Sequence, residues 1–270
     1  MSDIRIERVT IRQVNLPPPV VRTDAIQSFV TQETILVSLH CSDGIVGTGY
    51  AYTIGTGGSS VVALLADHLA PRLVGRDPAH VEAIWRDLFY ATHATAVGAI
   101  TSLALCCIDT ALWDWRSRQQ DMPLWVLLGG AQDRVPLYTT EGGWLHLSPE
   151  ALVDQTLAAQ ADGFKGAKIK IGRPHVSEDV SRLEAVREAV GPSFDLMTDA
   201  NQGFYRQEAI RRARAFDDLD LAWIEEPYPA EDVQGHALLR AQTSIPVAVG
   251  ESMYHLSQFR EYLERGACSI

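Results

Sequence analysis

The stretch Gly166-Ala167-Lys168-Ile169-Lys170-Ile171-Gly172 decides how the rest of the chain is read. Alternation across a β-strand sends Ala167, Ile169 and Ile171 to one face and both lysines to the other, where their charges repel. Something elsewhere in the chain must make that pairing worthwhile.

From about Val135 onward, short apolar strands alternate with amphipathic helices, the rhythm of parallel βα units. Strands are predicted at 135–141, 166–172, 194–201, 221–227 and 246–252, with helices over 148–163, 177–191, 206–219, 230–243 and 256–266. The final "ACSI", 267–270, reads as the start of a sixth strand. Ahead of this lies a different pattern. Strands over 4–16, 33–41 and 44–53, joined by a Ser42-Asp43-Gly44 turn, suit an antiparallel meander. Helices follow over 59–75, capped by Ser59 or Ser60, and over 77–92 and 99–119. The predicted fold is an α+β module over residues 1–130, followed over residues 131–270 by a TIM-type (β/α) barrel domain reaching the start of its sixth strand.

Bulk properties exclude several partners. The 270 residues carry a formal net charge of -11 with the basic residues scattered, which argues against nucleic acid or an anionic membrane surface. No apolar run approaches membrane-spanning length, and the N-terminal stretch has no apolar signal core, so a cytoplasmic protein acting on a small molecule is expected. Cys41, Cys106, Cys107 and Cys268 show no ligand spacing and are read as reduced thiols. The eight histidines show no paired ligand spacing either.

Polar residues recur at the C-terminal ends of the predicted strands, where a parallel sheet or barrel places its active site. They are Lys168 and Lys170, then Asp199 and Asn201, then Glu225 and Glu226, then Glu251. Alternation puts Met197, Asp199 and Asn201 on one face, and likewise Trp223 with Glu225, and Val247 and Val249 with Glu251. Carboxylates 199, 225 and 251 then converge, repelling one another unless a cation sits between them. An all-oxygen set suits Mg²⁺ or Mn²⁺. The lysines now acquire a purpose. A carboxylate substrate on such a metal has an acidified α-proton, because the enediolate is held by the divalent charge. Lys170, its ammonium disfavoured by Lys168 and the metal, can act as the base, while Lys168 stays charged and steadies the substrate carboxylate.

In the Lys168-Ile169-Lys170 pair, "TDAN" with Asp199 and Asn201, "WIEEP" with Glu225, and "GES" with Glu251, the chain resembles the enolase superfamily, mandelate racemase subgroup, over essentially its whole length. That resemblance implies a capping domain over a (β/α) barrel and Mg²⁺ held by Asp199, Glu225 and Glu251. It also implies loops near Thr23–Ser28 and Thr53–Ser59 that close over and choose the substrate. The expected reaction is dehydration of an acid sugar, or racemisation, with Asn201 contacting substrate. The later strands that bring this subgroup its second acid or base, and a late substrate-binding Glu, are not in the sequence. Five or six parallel strands leave apolar edges unpaired, so such a C-terminally truncated chain is expected to be unstable or to associate, and a fragment of a longer, homo-oligomeric enzyme is preferred to a natural truncation.

Other readings stand beside this one. A second enzyme reading makes Lys170 the nucleophile of a Schiff-base aldolase, which borohydride would trap. A truncated remnant would bind metal without chemistry. "GTGG" at 55–58 before a helix is read as a flexible lid in preference to a phosphate cradle, and Glu226 as a supporting or surface acid.

Overall fold

The computed structural model describes residues 4–96 and 98–270, so the first three residues of the N-terminal stretch lie outside it. The chain divides into two compact units, one reaching Pro19 and resuming over Phe29–Asp133, the other made of Val20–Ser28 and Arg134–Ile270.

In the first unit, β1 (Ile6–Leu16), β2 (Gln32–Cys41) and β3 (Val46–Ile54) form an antiparallel sheet in the order β1-β2-β3. β1 gives out at the three prolines 17–19, which offer the ladder no N–H. Alternation works as expected in β2, where Ile35, Val37, Leu39 and Cys41 are all buried. They face α3 (Ala99–Gln119), whose Ala104, Cys107, Ile108, Ala111 and Leu112 complete the core with residues of α1 (Gly58–Leu64) and α2 (Val81–Ala91). The single helix expected over 59–75 is interrupted. α1 passes into a π turn at Leu65–Leu69 and a 3-10 turn at Ala70–Arg72, because Pro71 lacks an N–H and its ring crowds the carbonyl one turn back. Nor does Ser59 or Ser60 cap the start, since Glu33 Oε2 takes the Gly58 N–H at 3.0 Å. That carboxylate also occupies the place a phosphate would need at "GTGG". α4 (Leu124–Leu127) ends the unit's helices.

The second unit alternates strictly: β4 (Tyr138–Thr139), α5 (Pro149–Ala161), β5 (Gly166–Lys170), α6 (Val176–Val190), β6 (Asp195–Asp199), α7 (Arg206–Ala215), β7 (Leu221–Glu225), α8 (Val233–Arg240), β8 (Val247–Ala248) and α9 (Leu256–Glu264). The five strands are parallel and ordered as in the sequence, as the βα rhythm predicts. Beyond β8 the ladder begins again, with Ser269 N–H on Val247 O at 2.8 Å and Val249 N–H on Ile270 O at 3.2 Å. Ile169, Ile171, Leu196, Ile224 and Val247 pack under Leu183, Val186, Ala209, Ala213 and Leu239 from the helices, the outer apolar layer of a βα fold. β4 and β8 pair over two residues each, far less than the seven expected.

Candidate active site

The strand register builds the centre of the site. In the parallel ladder Lys170 lies opposite Asp199, and Asp199 opposite Glu225. Matched positions on neighbouring strands face the same way, so the three form a row, with Lys168 two residues earlier on the same face. Both lysines are buried, each only 6% exposed. Lys170 Nζ donates to Asp199 Oδ2 at 2.7 Å, and Lys168 Nζ lies 3.0 Å from the same oxygen and 2.5 Å from Glu225 Oε1. The repulsion between the lysines is therefore offset by an anion held between them. Burial opposes charge on Lys168, but Asp199 and Glu225 outweigh it and raise its pKa. Burial likewise opposes ionisation of Asp199, and the Lys170 and Lys168 charges overcome it, holding the carboxyl below its usual range.

Asn201 and Glu251 arrive by turns, correcting the expectation that strand alternation places them. β6 ends at Asp199, and Asn201 and Gln202 have φ of 44° and 64°. β8 ends at Ala248, and Gly250, at φ 135°, precedes Glu251. Positive φ at non-glycine residues is strained backbone, found where the surrounding structure demands it. The turns nevertheless bring carboxylate oxygens of Asp199, Glu225 and Glu251 within 4.8 Å of one another. Packing against protein, and then the Asp199 charge, push the Glu251 carboxyl up. Asn201 donates its backbone N–H to Asp199 Oδ1 at 2.9 Å, while its own Oδ1 is buried without a partner. The three carboxylates are an all-oxygen donor set that fits a hard divalent cation.

Several contributors carried no signal as single residues. Gly143 O accepts the Lys170 N–H at 2.7 Å, and a Cβ on Gly143 would come within 2.0 Å of Lys168 O, so only glycine allows this approach. The Trp144 ring lies 5.6 Å from Lys170 Nζ. The paired glycines before a tryptophan, 142–144, were the available clue. Of the two readings given for Glu226, the structure favours the supporting acid over the surface one. It is buried, with φ 38°, and accepts Ser252 N–H at 2.9 Å, Ser252 Oγ–H at 3.2 Å and Gln202 Nε2 at 3.3 Å, tying together the turns after β6, β7 and β8. Burial raises its carboxyl pKa. Beneath the lysine strand, fully buried Asp179 accepts the N–H groups of Gly172 and Arg173 at 2.8 and 3.2 Å and pairs with Arg182 and Arg212. Arg182 in turn donates to Lys170 O at 2.9 Å and Trp144 O at 3.1 Å.

Known proteins are similar to this chain in sequence and in fold. Residues 6–129 match the mandelate racemase / muconate lactonizing enzyme N-terminal domain, and residues 151–270 the enolase C-terminal domain-like family. L-Talarate/galactarate dehydratase of Salmonella typhimurium is 37% identical over 96% of this chain and 65% of its own length. The 3,6-anhydro-α-L-galactonate cycloisomerase of Streptomyces coelicolor is 36% identical over 98% of this chain and 73% of its own. The chain thus spans about two thirds of the length of these relatives. Among solved structures, a racemase from Streptomyces coelicolor with bound magnesium superposes with a TM-score of 0.95 at 36% identity, covering 98% of this chain and 74% of that one. The Salmonella typhimurium dehydratase liganded with Mg and L-lyxarohydroxamate gives 0.94 at 34% identity, covering 99% and 70%. The two domain matches and the relatives together show that the chain belongs to the mandelate racemase / muconate lactonizing enzyme family of the enolase superfamily.

Proposed function

We propose that the chain carries the Mg²⁺-dependent proton-abstracting half-site of an acid-sugar dehydratase. The observation behind this reading is the in-register row that sets Lys170 beside Asp199 and Glu225, with the Glu251 carboxylate brought to the same point. Asp199, Glu225 and Glu251 would hold the metal. A bound Mg²⁺ supplies Lewis-acid charge that acidifies the α-proton of a substrate carboxylate. Two of the carboxylates a cation would take, Asp199 and Glu225, are those the lysines now hold, so a loaded site would free Lys168 as the cation and Lys170 to lose its proton and act as the amine base. Lys168, kept charged, neutralises the substrate carboxylate. Lys170, as the neutral amine, would take the α-proton and become the ammonium ion, its Nζ facing the Trp144 ring and its backbone held by Gly143 and Arg182. Asn201 Oδ1, buried without a donor, accepts from a substrate hydroxyl.

Dehydration is preferred to racemisation because the relatives named above include a dehydratase of acid sugars. The proposal includes a cytoplasmic setting and self-association. Among the described residues no helix is long and apolar enough to cross a membrane. The test is exchange of the α-proton of galactarate in D₂O with Mg²⁺ present, followed by proton NMR. Exchange that disappears in Lys170→Ala is the expected result; no exchange in the unaltered chain, or exchange that survives the substitution, defeats the reading.

A further inference from the structure

We propose that Trp223 determines which divalent cation the site accepts, by holding one oxygen of Glu225 so that the carboxylate offers a cation only the other. This rests on the metal site proposed above and adds to it a positioning residue that does not touch the cation.

The relationship starts within β7. Trp223 and Glu225 stand two residues apart on one strand and so share a face. In the ladder Glu225 lies opposite Asp199, and Trp223 lies opposite Met197, which in turn pairs with Lys168. The indole thus belongs to the row just before the carboxylate row. From there Trp223 Nε1 donates to Glu225 Oε2 at 3.0 Å, while Lys168 Nζ lies 2.5 Å from Glu225 Oε1.

The indole is itself held in place. Tyr138 on β4 meets it edge-on, with ring centroids 5.4 Å apart and planes at 85°, a favoured aromatic arrangement. Tyr138 is paired with Gly166 on β5. A Cβ on Gly166 would come within 2.6 Å of Asp195 O and 3.0 Å of Met197 Cε, so any side chain there would press on the methionine that pairs with Trp223.

The two partners of Glu225 differ in kind. Lys168 is a cation on a flexible stem, which a divalent ion at Oε1 repels and replaces. The indole N–H carries no net charge and can only donate, so it keeps Oε2 beside a cation that would drive an ammonium away. A carboxylate tied in this way binds through one oxygen. Mg²⁺ asks for no more, since it takes a strict octahedral set and keeps several waters. Ca²⁺ takes more oxygens and is often gripped by both of a carboxylate's, so it loses more when Oε2 is withheld. Trp223 therefore favours Mg²⁺ over Ca²⁺.

Calorimetric titration of the chain with Mg²⁺, and separately with Ca²⁺, tests the inference. Trp223→Phe keeps an aromatic ring beside Tyr138 and removes the N–H. The ratio of Mg²⁺ to Ca²⁺ affinity is expected to fall about ten-fold, in line with the loss of an outer support to a metal ligand. An unchanged or higher ratio overturns the inference and leaves the proposed function standing, because a merely structural loss weakens both ions alike. A second measurement needs no variant. The Trp223 indole proton, identified in NMR spectra by its contact with the Tyr138 ring, is expected to stay protected from exchange with water when Mg²⁺ saturates the chain. Rapid exchange there would mean that Oε2 is given up to the cation, and overturns the role of Trp223. Failure of the unaltered chain to bind Mg²⁺ overturns the inference and the proposed function together.

Discussion

Lys168 and Lys170 converge on one oxygen, Asp199 Oδ2, at 3.0 and 2.7 Å. A single carboxylate that is 1% exposed is thus the anion of Lys170 and, with Glu225, of Lys168. Removing it strands Lys170 and leaves Lys168 with Glu225 alone. Asp199→Ala is expected to cost about 3–5 kcal/mol in urea unfolding, the usual effect of leaving a buried charge without its partner. In the unaltered chain Mg²⁺ should raise the melting temperature by binding the folded state, and this rise should vanish in the variant. A Mg²⁺-dependent rise that persists in Asp199→Ala would remove Asp199 from the metal site.

Glu226 is expected to act on the metal site without touching the cation. Its carboxylate holds Ser252 N–H and Gln202, the residues flanking Glu251 and Asn201. Glu226→Ala should lower Mg²⁺ affinity by about 10–100-fold in a calorimetric titration, as loss of outer supports typically does. Unchanged affinity would mean that the Glu251 turn holds itself.

Asp179 should matter for folding more than for binding. It is fully buried and meets Arg182, Arg212 and two backbone N–H groups. Asp179→Ala leaves two guanidinium groups without their anion, with an expected loss of about 3–5 kcal/mol measured by chemical denaturation. A loss below about 1 kcal/mol would show that water reaches the arginines.

His236 predicts a pH dependence of stability. It is completely buried between Tyr228 and Tyr262, with Nε2 unpartnered, and burial holds its pKa below the ordinary 6.5. The unfolded chain therefore binds the proton first. The stabilising contribution is complete above that ordinary value and is lost as pH falls through it toward the lower folded pKa, at up to about 1.4 kcal/mol per pH unit. His236→Gln should flatten the change in unfolding free energy between about pH 5 and pH 8. An identical slope in both proteins would assign the acid sensitivity to carboxylates.

Much of this was legible from residue order. Period-two patterning marked β2, β5 and β6, and the βα rhythm set the parallel order of the second sheet. Asp199, Glu225 and Glu251 were picked out as polar punctuation at the ends of apolar strands, and the structure brings their oxygens together. Shorter-range detail was less faithful. The reach of β4 and β8 was overestimated, and Pro71 broke a helix whose apolar periodicity continued through it.

What residue order alone determined is therefore the list of elements, their parallel sequence and the side chains at their ends, because periodicity and local backbone preference are properties of neighbouring residues. Tertiary structure decided the rest. The left-handed turns at Asn201 and before Glu251, the passage of Gly143 over Lys168, the burial of Glu226 and the meeting of the Tyr138 and Trp223 rings depend on contacts between residues far apart in the chain. Their strain and close approach are stable only once the strands have locked into register, and no local pattern encodes that register.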